Sequence, residues 1–182
     1  STDLIADEAV RVIAERRMSE EKKPFFMYVS FNAVHGPLEE IPRYVERYGK
    51  RYAALKCLDD AVGKIVRAVD LSGFGENTLV IFTNDNGGLR DEMNAPYRGT
   101  KNTNYEGGVR VPCVMGWPDK IKAGSELDGL MHVTDLYSTF ATLAGGSLEQ
   151  ERKVDGIDMT EVIFSGAKSK RDEIVFEVSR SV

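Results

Sequence analysis

The sequence has few cysteines, no long apolar run and no excess of basic residues. Its two cysteines, Cys57 and Cys113, lack a nearby partner motif, so neither a disulfide framework nor a zinc site is indicated. The longest apolar run, near Phe25–Phe31, is too short to cross a bilayer as a helix. The net charge of −5 includes no basic block that would attract nucleic acid. We therefore expect neither a nucleic-acid partner nor a membrane partner.

What is present is an ordinary globular composition. Hydrophobic residues make up 42% and charged residues 29% of the 182 positions, which excludes collagen-like and disordered chains. The polar start Ser1-Thr2-Asp3 lacks the layout of a secretion signal. The length suits one domain with a substantial core.

Hydrophobic spacing predicts alternating helices and strands. The helical segments are 3–17, 42–48, 50–70 and 134–143. Continuous apolar or β-branched runs predict strands at 24–31, 78–83, 109–115 and 173–178. For the last helix we expect Thr134 as the N-cap and Gly145 just beyond the end. This alternation indicates an α/β fold, with a sheet covered by helices on both faces.

Polar clusters follow the predicted strands, where α/β proteins commonly place their functional groups. Asp85 and Asn86 end the second strand, and Gly87-Gly88 permits a turn that aims both side chains at one hard cation such as Ca²⁺ or Mg²⁺. The same residues also suit an Asx turn without metal. Two ligands are in any case fewer than the roughly six to eight oxygens of a calcium shell.

Two further side chains have both a functional and a structural interpretation. His35, in a loop after the first strand, is either a proton or hydrogen-bond donor or a surface residue. Lys101 is either a cation directed at an anionic group or an ordinary surface lysine. Structural roles are favoured for His132, Glu106 and Arg110.

The cysteines and the adjacent carboxylates of the long helix are not expected to be catalytic. Both cysteines are predicted to be small buried hydrophobes. Asp59 and Asp60 point about 100° apart on a helix, so a shared metal is not expected.

The order of the motifs resembles the type I sulfatases, and among them the arylsulfatase B or N-acetylgalactosamine-4-sulfatase-like group. The resemblance is strongest over 24–145. It is carried by Phe31-Asn32-Ala33-Val34-His35-Gly36-Pro37-Leu38, Leu58-Asp59-Asp60-Ala61-Val62-Gly63, Thr83-Asn84-Asp85-Asn86-Gly87 and Arg98-Gly99-Thr100-Lys101 with Tyr105-Glu106-Gly107-Gly108-Val109-Arg110-Val111-Pro112. It implies part of an alkaline-phosphatase-like α/β fold, a buried mixed sheet flanked by helices. Residues 1–170 would form the C-terminal part of the catalytic domain, and 171–182 the start of a smaller C-terminal subdomain.

The resemblance also implies roles for individual residues. Asp85 and Asn86 match the pair that ligates the divalent cation, Ca²⁺ in preference to Mg²⁺. Lys101 matches the lysine that contacts the sulfate and the bridging oxygen, and His35 matches the histidine near the leaving-group oxygen. These residues would hold half of the metal and sulfate site of a sulfuric ester hydrolase that cleaves the sulfate ester of a sugar or an aryl alcohol.

The sequence departs from the family at the nucleophile. Sulfatases make a formylglycine from a Cys/Ser-x-Pro/Ala-x-Arg motif, and neither Cys57 nor Cys113 begins one, nor does any serine. The N-terminal aspartate pair and the second lysine and histidine of the family site are also missing. We therefore expect an internal fragment, inactive in isolation, with the formylglycine in an N-terminal part outside this chain.

Other expectations stay open at this point. Related enzymes of the alkaline phosphatase superfamily hydrolyse phosphoesters or phosphonates, although the Lys101 loop pattern favours sulfate. Exposed sheet edges in a fragment favour self-association. By family, the full-length protein is expected in the periplasm, outside the cell or in lysosomes.

Overall fold

The computed structural model describes residues 1–21, 23–38, 42–90, 93–149 and 152–176. They form two compact units, residues 1–80 and 81–182. The helices are α1 (Thr2–Met18), α2 (Pro42–Leu71), α3 (Glu106–Val109), α4 (Val133–Leu143) and α5 (Thr160–Ser165). The strands are β1 (Val80–Thr83) and β2 (Cys113–Gly116), and a short 3₁₀ turn covers Gly75–Asn77.

The first unit is built on the packing of α1 against α2. Its buried side chains are mostly small, which lets the two helix backbones approach closely: Ala6, Ala9, Ile13, Ala53, Ala54, Cys57 and Ala61. Charged pairs border this interface. Asp3 accepts from Arg43 at 2.9 Å, and Lys64 pairs with Asp7. The predicted helix 3–17 is confirmed.

Helix α2 contains the two predicted helices 42–48 and 50–70, interrupted at Gly49. Gly49 has φ 69° and ψ 161°, outside the helical region and accessible to glycine without a Cβ penalty. Side chains bridge the interruption, because Asp60 accepts from the hydroxyl of Tyr44 and from Lys56 Nζ at 2.6 Å. The Lys56 hydrogen bond, followed by that of Tyr44, lowers the pKa of Asp60. Asp60 is thus a helix-bridging carboxylate.

The prediction of a buried strand at 24–31 is wrong. These residues carry no strand assignment, and Phe26 and Tyr28 are 72% and 81% exposed. Phe25 meets Phe74 edge to face at 5.5 Å between centroids. An apolar run becomes a strand only when another strand pairs with it, and no described strand does so here.

The sheet of the described residues has two strands, β1 paired with β2. Strand β1 confirms the core of the predicted strand 78–83. Strand β2 begins at Cys113 rather than at residue 109, because Glu106–Val109 forms the short helix α3. Residues 173–176 of the predicted last strand are not in a strand, and residues 177–178 lie outside the described part.

The strands are less covered than predicted. Val114 is 65% exposed, and Cys113 is also exposed, so the expectation that both cysteines are buried holds for Cys57 alone. An apolar strand buries its side chains only when layers cover both faces of the sheet, and the described layers leave β2 open.

The core of the second unit lies around α4 and α5. Met159, Val162 and Ile163 are buried, and partly buried hydrophobic residues pack against them. Trp117, the only tryptophan, meets Phe164 edge to face at 5.7 Å. Gly145 follows α4 with φ 73°, as predicted.

The N-cap of α4 is His132 and not Thr134. The His132 ring accepts from the Thr134 amide at 3.4 Å, and the Asp135 carboxylate accepts from the His132 amide at 2.7 Å. The prediction failed because side-chain preference favours the hydroxyl of Thr134, whereas an imidazole nitrogen accepts the amide hydrogen here. The structural role favoured for His132 agrees with this position.

A buried ion pair ties the last described segment to α4. Asp135 is fully buried and pairs bidentately with Arg171, with Arg171 Nε 2.9 Å from Oδ2. Its Oδ1 accepts from the Ile157 amide at 2.8 Å. Burial raises the pKa of Asp135, but the hydrogen bonds from Arg171, His132 and Ile157 outweigh it, and the net pKa is lowered.

No helix among the described residues combines the length and apolar character that a membrane crossing requires.

Candidate active site

Asp85 and Asn86 lie in the turn that follows β1. The Asp85 side chain is exposed and Asn86 is half-buried. Within the described part of the chain, neither side chain has a hydrogen-bond or ion-pair partner, so the Asx-turn alternative finds no support in their side-chain contacts.

Close main-chain packing against residues 107–108 fixes this turn. The Gly87 amide donates to the Gly108 carbonyl at 3.0 Å. A Cβ atom at Gly87 would lie 1.8 Å from the Gly107 carbonyl oxygen, a distance that no side chain tolerates. Glycine is required here because the 106–109 helix and the 85–88 turn are in contact through their main chains.

The Lys101 loop is joined to the same turn. The Lys101 amide donates to the Gly88 carbonyl oxygen at 2.9 Å. Thr103 shapes the loop, because its hydroxyl donates to the Thr100 carbonyl at 2.7 Å and accepts from the Thr100 amide at 3.1 Å. The structure thus brings Asp85, Asn86 and Lys101 together in one cluster of loops.

Glycines let this cluster close. Gly99 has φ 94°, and Gly107 donates its amide to the Arg98 carbonyl at 2.8 Å. A Cβ atom at Gly107 would lie 2.2 Å from the Gly99 oxygen, and one at Gly108 would lie 2.3 Å from the Thr103 oxygen. The glycine-rich sequence is therefore a packing requirement as well as a source of turns.

Arginines and tyrosines border the cluster. Arg98 lies over the Tyr105 ring at 4.0 Å from its centroid, and Arg110 lies over Tyr97 at 4.7 Å. Arg110 also pairs with Glu106 at 3.3 Å in an exposed i,i+4 arrangement. These contacts agree with the structural role favoured for Glu106 and Arg110.

Asn94 is a residue of the cluster that sequence reasoning missed. Its Oδ1 accepts from the Gly88 amide at 2.7 Å, and its Nδ2 donates to the carbonyls of Gly88, Gly99 and Arg90 at 3.1, 2.9 and 3.2 Å. The only available signal was an asparagine amid glycines, a composition that indicates a turn without specifying its partners.

His35 lies in the first unit, in a bend that precedes Pro37. Its amide donates to the Asn32 carbonyl at 2.8 Å, and its Nδ1 lies 2.6 Å from the Gly36 carbonyl oxygen. A carbonyl only accepts, so Nδ1 carries the proton, and Nε2 is the other nitrogen of this exposed residue. That nitrogen is the one available to a ligand.

The donor set for a metal is partial. Among the described residues, no group of three or more histidine, cysteine, aspartate or glutamate side chains converges in a way that could hold a metal. One carboxylate and one amide oxygen suit a hard cation but fill only part of its shell. The residues present therefore supply part of the oxygen-donor set that a hard cation needs.

Comparison with known proteins identifies the family. The family model described as Sulfatase matches residues 1–147. Arylsulfatase J from Mus musculus is 35% identical over 188 residues, covering 98% of this chain and 31% of the relative.

Solved structures agree. The crystal structure of PsFucS1 sulfatase from Pseudoalteromonas sp. matches with a TM-score of 0.81 and 36% identity, covering 93% of this chain and 36% of that one. Ps i-CgsB, solved in complex with k-i-k-neocarrahexaose, matches with a TM-score of 0.82 and 33% identity over 94% of this chain and 40% of that one.

These structural neighbours share the alkaline-phosphatase-like fold, of which this chain is a part. The chain belongs to the sulfatase family, and the predicted family is confirmed. It spans about a third of the length of the curated relatives that it matches. The matched region 1–147 contains all four predicted site residues, His35, Asp85, Asn86 and Lys101.

Proposed function

We propose that this chain is the segment of a sulfuric ester hydrolase that supplies half of its metal and sulfate site. The observation that carries the proposal is the hydrogen bond from the Lys101 amide to the Gly88 carbonyl, which joins a lysine to an oxygen-donor turn. A lysine loop bonded through its main chain to a turn that carries a carboxylate and an amide is an arrangement suited to a substrate anion and a hard cation together. Membership of the sulfatase family supports sulfate as that anion.

In this proposal Asp85 and Asn86 hold the divalent cation, Ca²⁺ in preference to Mg²⁺. When bound, the cation supplies Lewis-acid charge against the sulfate oxygens. Lys101 contacts a sulfate oxygen and the bridging oxygen and stabilises the charge that develops there. The remaining ligands and the formylglycine nucleophile of the family belong to parts of the protein outside this chain.

His35 is proposed as the proton donor to the leaving alcohol. Its Nδ1–H is held by the Gly36 carbonyl. In the imidazolium form, Nε2 therefore carries the transferable proton. As the alcohol oxygen departs, this proton passes to it and leaves a neutral ring that is protonated on Nδ1.

The substrate class is a sulfate ester of a sugar or an aryl alcohol. The names of the relatives support both: one relative is an arylsulfatase, and one similar structure was solved with a neocarrahexaose.

We further propose that residues 1–170 belong to the catalytic domain and that 171–182 begin the C-terminal subdomain. The full-length protein is proposed to be periplasmic, secreted or lysosomal, and the isolated chain to self-associate through its exposed apolar strands.

The test compares sulfate and phosphate esters. The protein carrying this chain with its natural flanking sequence should hydrolyse 4-nitrophenyl sulfate with a higher kcat/KM than 4-nitrophenyl phosphate. The isolated 182-residue chain should turn over neither, because it lacks the nucleophile. A preference for the phosphate would support the phosphoester alternative, and Ca²⁺-dependent hydrolysis by the isolated chain would contradict the fragment interpretation.

Calcium binding tests the half-site directly. Isothermal titration of the isolated chain with CaCl₂ should give a dissociation constant no tighter than about 1 mM, since two oxygen ligands hold the ion weakly. In the protein with its flanking sequence, Asp85→Asn should weaken Ca²⁺ binding, whereas the exposed control Asp128→Asn should not. Tight binding by the isolated chain would show that it holds further ligands.

A further inference from the structure

We propose that Asn94 is the positioning residue that sets the Lys101 loop against the Asp85–Asn86 turn. This inference rests on the proposed function, because it assigns Asn94 to the same site. Asn94 touches neither substrate nor metal in this proposal. It acts by fixing the two loops that carry the ligand groups.

The amide of Asn94 is bound at both ends to one residue, Gly88. The Gly88 amide donates to Oδ1 at 2.7 Å, and Nδ2 donates back to the Gly88 carbonyl at 3.1 Å. Such a reciprocal pair fixes the plane of the Asn94 side chain and that of the Gly88 main chain together. Gly88 is two residues beyond Asn86, so the orientation of the turn is set at this point.

The same Gly88 carbonyl accepts the Lys101 amide at 2.9 Å. Nδ2 of Asn94 also reaches the Gly99 carbonyl at 2.9 Å, two residues before Lys101. One side chain therefore contacts both loops, and the shared Gly88 oxygen makes the position of Lys101 depend on it. Together these bonds connect Gly88, two residues beyond Asn86, to the loop that carries Lys101.

An amide is the group that these partners require. The site offers one main-chain N–H and three main-chain carbonyls, so the side chain must accept once and donate to oxygens. An aspartate accepts but, when ionised, places its charge against the carbonyls of Gly88 and Gly99. A leucine of similar size does neither, so the Gly88 amide and the Gly99 carbonyl lose their Asn94 partner.

There is little space between Gly88 and the Asn94 side chain. A Cβ atom at Gly88 would lie 3.0 Å from Asn94 Oδ1 and 2.9 Å from Met93 Cβ. A side chain at position 88 would therefore push Asn94 away from its hydrogen bonds. The absence of a side chain at Gly88 and the amide at Asn94 are two parts of one arrangement.

The experiment uses the protein with its natural flanking sequence and the variants Asn94→Asp and Asn94→Leu. Because misplacing a catalytic group by about 1 Å costs on the order of 10²-fold, kcat for the sulfate ester should fall by about 10²-fold, with KM changed less than threefold. Hydrogen exchange should accelerate at the amides of Gly88 and Lys101 while the exchange of α4 stays unchanged.

The matched control is Asn102→Asp, which makes the same charge change beside Lys101. Asn102 is exposed at φ 73°, a conformation that aspartate also adopts, and its side chain has no hydrogen-bond partner among the described residues. Its effect on kcat measures the contribution of charge alone and should be at least tenfold smaller than that of Asn94→Asp.

A pH series separates positioning from general destabilisation. In Asn94→Asp, protonation of the new carboxyl restores one donor to the carbonyls, all of which are main-chain groups. The ratio of variant to wild-type kcat should therefore rise as the pH falls from about 8 to about 5. For Asn94→Leu that ratio should stay flat.

The proposal is overturned if Asn94→Leu keeps kcat within threefold of wild type, or if it loses activity only by unfolding, with α4 exchanging as fast as Gly88. These ratios are taken on whichever ester the wild-type protein turns over. A wild type that prefers phosphate therefore contradicts the proposed function while still testing Asn94.

Discussion

Replacing Lys101 by methionine should lower kcat for a sulfate ester by about 10²–10³-fold, the loss typical of removing one charge-stabilising donor. Methionine matches the length of the lysine stem but carries no charge. The main-chain amide of residue 101 donates a hydrogen bond to the Gly88 carbonyl, and the substitution retains this bond. We therefore expect a catalytic loss with the fold preserved, in the protein that carries this chain with its natural flanking sequence.

The matched control is Lys120→Met. Lys120 is exposed, and its main-chain amide donates to the Trp117 carbonyl at 3.1 Å. This variant should leave kcat and KM within twofold of wild type. Lys101→Arg should recover only part of the activity, because a planar guanidinium does not reproduce a compact ammonium. A fall of less than tenfold in Lys101→Met would contradict the assigned contact with the sulfate.

The helices were predictable because their signals are local. The spacing of Ala6, Ala9 and Ile13 indicates a buried helical face whatever the rest of the chain does, and α1 begins and ends within one residue of the prediction. The end of α4 just before Gly145 was predictable for the same reason, because a glycine is a local signal for a helix end. Such features need no knowledge of the partner surface.

The sheet was less predictable because strand formation depends on partners. Residues 24–31 and β2 have equally apolar sequences, yet only β2 has a described neighbouring strand. Cys113 was expected to be buried for the same reason and is exposed. Apolar composition reports what a segment prefers to contact, whereas burial depends on whether those contacts are present.

The residues of the candidate site also differ in how far the sequence could predict them. Asp85, Asn86, Lys101 and His35 were identified by ordered motifs, and the structure clusters three of them through main-chain bonds at Gly87 and Gly88. Asn94 was missed because an irregular loop has no period from which its contacts can be read. Its importance arises from carbonyl groups, which every residue possesses and which no side-chain pattern reveals.

Breaking the Asp135–Arg171 pair should produce the largest loss of stability in the second unit. Asp135 is 0% exposed, and Arg171→Met removes its bidentate partner while the amides of His132 and Ile157 remain. Removing one partner of a buried ion pair costs about 3–5 kcal/mol, because the other charge stays buried without an opposite charge beside it. Urea unfolding followed by Trp117 fluorescence reports on this unit, since Trp117 packs on Phe164.

The neighbouring Lys170 provides the control. It pairs with Glu161 at 3.4 Å, with both side chains 69% exposed, so Lys170→Met should cost at most about 1 kcal/mol. Asp135→Asn should also destabilise by several kcal/mol, since its amide nitrogen would face a donor. The double variant Asp135→Asn/Arg171→Met should be less destabilised than the sum of the single variants by about 0.5–3 kcal/mol. Equal losses for Arg171→Met and Lys170→Met would contradict the assigned role of the buried pair.

The pH dependence of this unit follows from the same carboxylate. The pKa of Asp135 is lower in the folded protein than in the unfolded chain, where it is about 3.9, so the folded state binds fewer protons. The stabilisation is therefore complete above the unfolded pKa and is lost as the pH falls through the folded pKa. Between about pH 5 and pH 2 the wild-type free energy of unfolding should decline more steeply than that of Asp135→Asn, which cannot take up this proton. Parallel declines in urea titrations at each pH would show that Asp135 is not the group that sets acid stability.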